Sequence, residues 1–154
     1  MLNNDLSQQI KRNFPYKPTE EQENAVKSFA EFLFSPSADS VFLMKGYAGT
    51  GKTTLTSALV RTLDSLQRKV ILLAPTGRAA KVFSGYAEHP AYTIHKKIYR
   101  QKVFSNETDN FVANQNLHRN TLFIVDEASM IANEGLSGGH FGSGRLLDDL
   151  VQYV

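Results

Sequence analysis

Apolar residues follow two rhythms along this chain. In three places they run almost without interruption: VFLM (41–44), KVILLA (69–74) and TLFIVD (121–126). Short Val/Ile/Leu/Phe runs of this kind suit strands of a parallel sheet covered on both faces. Elsewhere the apolar positions recur every three or four residues. PTEEQENAVKSFAEFLF (18–34) carries Ala25, Val26, Phe29, Phe32 and Leu33 at helical spacing, and Thr19 with Gln22 three residues later reads as a capping box. KTTLTSALVRTLDSL (52–66) places Leu55, Ala58, Leu59 and Leu63 on one side of a second helix, and RLLDDLVQYV (145–154) is a last helical piece. Helices alternating with continuous apolar strands predict an α/β domain, a parallel sheet flanked by helices with right-handed crossovers, over residues 18–154. Residues 1–17 read as a lead-in.

Residues 92–120 break this pattern. They hold few aliphatic side chains and two short β-like pieces, KIYRQKVF (97–104) and NFVANQ (110–115), with SNETD between them as a turn signal. The expectation is a small β-hairpin insertion over about 97–120. GLSGGHFGSG (135–144) reads as a loop.

Composition changes this picture only in part. The 154 residues are 42% hydrophobic and 21% charged, with no cysteine. That excludes disulfides and thiolate metal sites, and the apolar runs are too short for a membrane span. A cytoplasmic location is the default expectation, with no membrane partner. The net charge of +2 hides an asymmetry: residues 78–119 hold Arg78, Lys81, Lys96, Lys97, Arg100, Lys102 and Arg119 against Glu88, Glu107 and Asp109. This stretch is either an ordinary solvated surface or an anion-facing side.

Two motifs carry chemistry. GYAGTGKTT (46–54) matches G-x-x-x-x-G-K-[ST] through Gly46, Gly51, Lys52 and Thr53, between a predicted strand and a predicted helix. Its glycines let the backbone of Gly46, Ala48, Gly49, Thr50 and Gly51 curl so that N–H groups point inward. The helix that opens at Lys52, Thr53 and Thr54 adds its positive end. Lys52 is suited to the outer phosphates of a nucleotide and the Thr53 hydroxyl to magnesium. IVDEAS (124–129) then puts Asp126 and Glu127 at the carboxyl end of a strand, where open parallel sheets bind ligands. Asp126 suits Mg²⁺, usually through water, and Glu127 suits the orientation or deprotonation of an attacking water. The pair favours nucleotide hydrolysis over the competing reading, a kinase or other phosphotransferase.

With these sites placed, the chain resembles the first RecA-like domain of superfamily 1 DNA helicases, in the RecD-like branch that includes Dda, over about residues 15–135. PTEEQ (18–22) is similar to the Q motif, GYAGTGKTT to motif I, LLAPTGRAAK (72–81) to motif Ia, TIHKKI (93–98) to the motif after it, and IVDEASM (124–130) to motif II. The resemblance implies a RecA-like P-loop NTPase with ATP and Mg²⁺ as cofactors, in which Gln22 reads the adenine edge. It implies single-stranded DNA, or the single-strand/duplex junction, as partner. Pro75, Thr76, Arg78, Lys81, Thr93 and His95 would lie along the DNA track, Thr76 holding a phosphate and Arg78 and Lys81 adding charge. The hairpin insertion would help to separate the strands, with Phe104 or Phe111 either an exposed wedge or a stabiliser of the hairpin.

The pattern departs from the family after motif II. The Gly-Asp…Gln strand and the C-terminal RecA-like domain, which supplies transition-state arginines, have no counterpart in these residues. The sheet is therefore expected to be incomplete, weak nucleotide binding to be the most this stretch keeps alone, and self-association through exposed apolar surface to be a further possibility.

Overall fold

Helices α1 (Leu2–Arg12), α2 (Glu20–Leu33) and α3 (Lys52–Ser65) make up most of one unit of the chain, residues 1–68 with 86–88. The computed structural model describes residues 2–35, 37, 40–101, 111–133 and 142–154. Helix α1 lies in the expected lead-in; its signal is the four-residue spacing of Leu6 and Ile10, both buried, with Phe14 just beyond. Helix α2 begins where the capping box places it. Thr19 Oγ1 accepts from Gln22 N and Gln22 Oε1 accepts from Thr19 N, so two otherwise orphaned N–H groups are satisfied. Its inner face buries Val26, Phe29 and Ala30, and Lys11 of α1 pairs with Glu23 at 2.9 Å. Asn13 donates to the fully buried Thr62 Oγ1 at 2.8 Å, which itself donates to Ala58 O within α3.

The strand expected at 41–44 does not form. Val41 and Leu43 are 82% and 66% exposed, while Phe42 packs edge-on against Phe29 and tilted against Phe32. The segment alternates like an extended chain, but a strand exists only through ladder hydrogen bonds, and among the described residues nothing pairs with it.

The second unit, residues 69–85 with 89–154, is built on a parallel sheet in the order β2–β1–β5. These strands are β1 (Lys69–Ala74), β2 (Ala91–Thr93) and β5 (Thr121–Val125). Central β1 pairs with both neighbours: Leu72 lies opposite Ala91 on one side and Ile124 on the other. Val70 to Ala74 are all buried, each large side chain contributing roughly 1.5–3 kcal/mol, which explains the uninterrupted apolar run. Helix α4 (Gly77–Ala87) follows β1 and buries Phe83 completely.

Short helix α5 (Ile94–Ile98) leads into β3 (Tyr99–Gln101), which pairs antiparallel with β4 (Phe111–Ala113). The expected hairpin is thus present but starts later, because Lys97 and Ile98 close α5. Its turn, including Phe104, lies outside the described residues. Phe111 is half-buried against a cluster of Ile71, Leu73, Ile94, Ile98, Leu150 and Tyr153, so it stabilises this hairpin base and is not an exposed wedge. Helix α6 (Leu146–Tyr153) supplies the last two of these side chains. It is pinned by the buried Asp149, which accepts from the Tyr99 hydroxyl and from Ser143 N. The expected loop at 135–144 is described only from Gly142 onward. The whole is α/β with a parallel three-stranded sheet, in keeping with a RecA-like P-loop fold.

Candidate functional site

The glycine-rich loop folds as its residue types demand. Gly51 is the N-cap of α3 at φ +83°, a left-handed conformation that costs an L-residue about 1–2 kcal/mol. It offers no side-chain cap, and the first helical bond is Leu55 N to Gly51 O, so the first-turn N–H groups of Lys52, Thr53 and Thr54 have no intrahelical acceptor. Such an end is complementary to an anion. A Cβ on Gly46 would stand 2.6 Å from Thr50 Oγ1, so a larger residue there would displace the Thr50 hydroxyl. Thr50 Oγ1 donates to Tyr47 O at 2.8 Å, and Lys52 Nζ donates to Gly46 O at 2.5 Å and to Tyr47 O at 2.8 Å. The ammonium is therefore held at the mouth of the loop by its own carbonyls, with a third donor left for a ligand. Ala48 and Gly49 are exposed along the rim.

Gln22 joins this loop to α2. Its side chain is buried at 7% exposure, its Oε1 takes the capping bond, and its Nε2 donates to Thr50 O at 3.3 Å. One N–H and one lone pair of the amide remain for another partner. Beside it opens a cleft of about 500 Å³ lined by Tyr16, Thr19, Gln22, Gly49, Thr50 and Gly51 among others. Tyr16, half exposed, is a site residue that the motif pattern did not disclose, because it falls in the lead-in before the Q-motif-like segment.

In the second unit Asp126 follows β5 directly, and its N–H is held by Leu73 O at 3.0 Å. Glu127 comes next at φ +54°, ψ +36°, exposed, and opens the single 3₁₀ turn Ala128–Met130. A glutamate in the left-handed region is strained, and strain of this kind gathers at functional turns.

Of the residues expected along a DNA track, Lys81 and Thr93 line a second concavity, in the second unit, and Pro75, Thr76, Arg78 and His95 lie outside its lining. Thr76 ends the loop after Pro75 and β1, its hydroxyl accepting from Ala79 N at 3.1 Å; Thr93 accepts likewise from Lys96 N at 3.2 Å. Both threonines act as helix caps, and each hydroxyl keeps its proton to donate. Lys81 and Thr93 line a groove of about 520 Å³ with Gly77, Ser84, Tyr92 and Lys96. Arg78 is exposed on the first turn of α4 and outside this lining. His95 is half-buried against Tyr99, and burial holds its pKa below the ordinary histidine value, so it is a neutral ring at pH 7. Tyr92 and Lys96 are the groove residues that the motif comparison missed; an aromatic next to lysines at 92–97 was the available signal.

The donor set suits magnesium. Thr53 is exposed, and its hydroxyl has no hydrogen-bond partner among the described residues. No cluster of three or more His, Asp or Glu that could hold a metal by itself occurs among them. An ion that takes one or two protein oxygens and completes its shell with water and phosphate fits such donors, whereas one needing a dedicated protein cage does not. No helix among the described residues is long and apolar enough to cross a membrane.

Comparison with known proteins places these features. Residues 17–138 match the family model described as AAA domain, which is most of the chain. The multifunctional conjugation protein TraI of Escherichia coli (strain K12) is 32% identical over 107 residues, covering 65% of this chain and 6% of its own length. The ATP-dependent DNA helicase dda of Enterobacteria phage T4 is 37% identical over 90 residues, covering 56% of this chain and 20% of its own. An uncharacterized protein of Methanocaldococcus jannaschii is 28% identical over 139 residues, 83% of this chain and 11% of that protein. The chain thus spans a fifth or less of the length of these curated relatives. The glycine-rich loop, the Asp-Glu turn and the family match agree: the chain belongs to the AAA domain family.

Proposed function

We propose that this chain is the ATP-binding domain of an ATP-dependent DNA helicase, a single-stranded DNA translocase in which hydrolysis drives unwinding. The observation that carries the reading is the loop at 46–54: a left-handed Gly51, an uncapped α3 and the Lys52 ammonium at its mouth form a receptor for a polyphosphate. In this reading the first-turn N–H groups and Lys52 bind the phosphates, and the spare hydrogen-bonding capacity of Gln22 beside the Tyr16 cleft takes the adenine. Thr53 and Asp126 are the donors that would hold Mg²⁺, which when bound would supply charge neutralisation for the phosphates. Glu127 accepts the proton of the attacking water.

Pro75, Thr76, Arg78, Lys81, Thr93 and His95 contact the DNA strand. Thr76 and Thr93 donate from their capped hydroxyls, Arg78 and Lys81 supply charge, and His95 contributes a neutral ring. The family assigns transition-state arginines to a second RecA-like domain, and such an arginine contributes about 10³–10⁵ in rate. In this reading no arginine among the described residues takes that role, and this stretch by itself binds nucleotide and turns it over slowly. A coupled ATPase assay with and without single-stranded DNA tests this: turnover near background supports the reading, and robust DNA-stimulated turnover by this chain alone refutes it.

A further inference from the structure

The groove between α4 and the β2–α5 segment has a property that threonine caps and phosphate charges do not explain. Tyr92, the middle residue of β2, is 41% exposed, and its ring forms part of the groove wall. Lys96 Nζ stands 6.0 Å from the ring centroid and Lys97 Nζ 5.7 Å, both at the outer limit of a cation–π contact. Lys81 lines the same concavity, and no acidic residue does. None of Lys81, Lys96 and Lys97 forms a salt bridge among the described residues. An exposed aromatic ring ringed by unpaired lysines is poorly suited to a protein core or to an apolar partner. It matches a ligand that alternates flat apolar faces with negative charges, which is the chemistry of a single nucleic-acid strand.

We propose that Tyr92 is a stacking platform for one base of a single DNA strand lying in this groove, with Lys81 and Lys96 on the flanking phosphates. The inference rests on the DNA-binding reading above and adds to it a residue that holds the strand through a base and not through its backbone. On binding, the base covers the Tyr92 ring and the lysine ammonium groups turn from the ring to the phosphates. Because every base has a π-face, the contact is tolerant of sequence.

The test uses the whole chain and a fluorescein-labelled oligo(dT), with anisotropy read across a salt series. Replacing an aromatic platform weakens binding roughly 5- to 150-fold. Tyr92→Ala should therefore lose affinity by at least about fivefold at every salt concentration, with the slope of log K against log salt unchanged, while Tyr92→Phe stays near wild type. Lys96→Ala should instead make the slope shallower by about 0.7, the value for one phosphate contact on a single strand. Tyr92→Trp gives a direct readout, since the chain contains no tryptophan: its indole fluorescence should be quenched by the unlabelled strand.

The two readings fail differently. Salt-dependent binding by wild type that Tyr92→Ala leaves intact, with no quenching in Tyr92→Trp, overturns the stacking platform and leaves the DNA reading standing. No salt-dependent binding by wild type overturns both.

Discussion

Substituting Gly51→Ala probes the link between the phosphate loop and the capping box of α2. Two separable effects follow from the geometry. At φ +83° an alanine pays the left-handed penalty, about 1–2 kcal/mol. Its Cβ would also fall 2.3 Å from Gln22 Nε2, so the amide must swing away. That movement breaks the bond from Gln22 Nε2 to Thr50 O and the one from Thr19 N to Gln22 Oε1. At about 0.5–1.5 kcal/mol each, these add about 1–3 kcal/mol. The single variant should therefore lose about 2–5 kcal/mol of stability. In a Gln22→Ala background the clash is gone and only the backbone penalty of about 1–2 kcal/mol remains. Urea denaturation of the four proteins, followed by far-UV circular dichroism, yields the coupling energy, expected at about 1–3 kcal/mol. Additive losses, with a coupling below about 0.5 kcal/mol, would refute the packing of Gln22 against Gly51. A Gly51→Ala loss under about 1 kcal/mol would refute the left-handed N-cap itself.

Two further substitutions test other parts of the account. Tyr99→Phe removes a hydrogen bond to a buried carboxylate and should cost about 1.5–3 kcal/mol at pH 7. Burial pushes the Asp149 pKa up, but hydrogen bonds from Ser143 and Tyr99 outweigh it and hold the folded value below the ordinary 3.8. The carboxylate therefore contributes stability above that range and loses it as pH falls through the lower folded value. The acid limb of a stability–pH curve should be shallower in Tyr99→Phe; an unchanged limb contradicts the assignment. Glu127→Gly relieves a left-handed glutamate and should raise stability by up to about 1 kcal/mol while removing any ATP hydrolysis the chain shows. A destabilised variant, or one with unchanged hydrolysis, would mean that the turn is not strained or that the water is activated elsewhere.

The parts of the fold legible in the sequence are those in which one local interaction decides the outcome. Thr19 and Gln22 specify the start of α2 by themselves, and the apolar run at 69–74 is readable because β1 is buried on both faces between two neighbours. The equally apolar run at 41–44 misled, because periodicity reports what a segment can bury and not whether a partner strand is there to pair with it. Helix α1 is hard to read for the opposite reason: its apolar positions Leu6 and Ile10 are sparse among polar residues. At the candidate site, the glycines and Lys52 announce themselves because a left-handed turn opening straight into a helix admits few residue types. The second engagement of Gln22, through Thr50 O, and the groove position of Tyr92 depend on which segments meet in space. Only Tyr92 leaves a local signal, an aromatic next to lysines at 92–97.

The central claim is that the loop at 46–54 receives a nucleotide polyphosphate. Fluorescence titration of this chain with an N-methylanthraniloyl-labelled ATP, with and without magnesium and against Lys52→Ala, tests it most directly. The account predicts saturable, magnesium-dependent binding that Lys52→Ala abolishes while its circular dichroism spectrum stays that of wild type. Binding that survives in folded Lys52→Ala, or no binding by folded wild type at millimolar nucleotide, would contradict it.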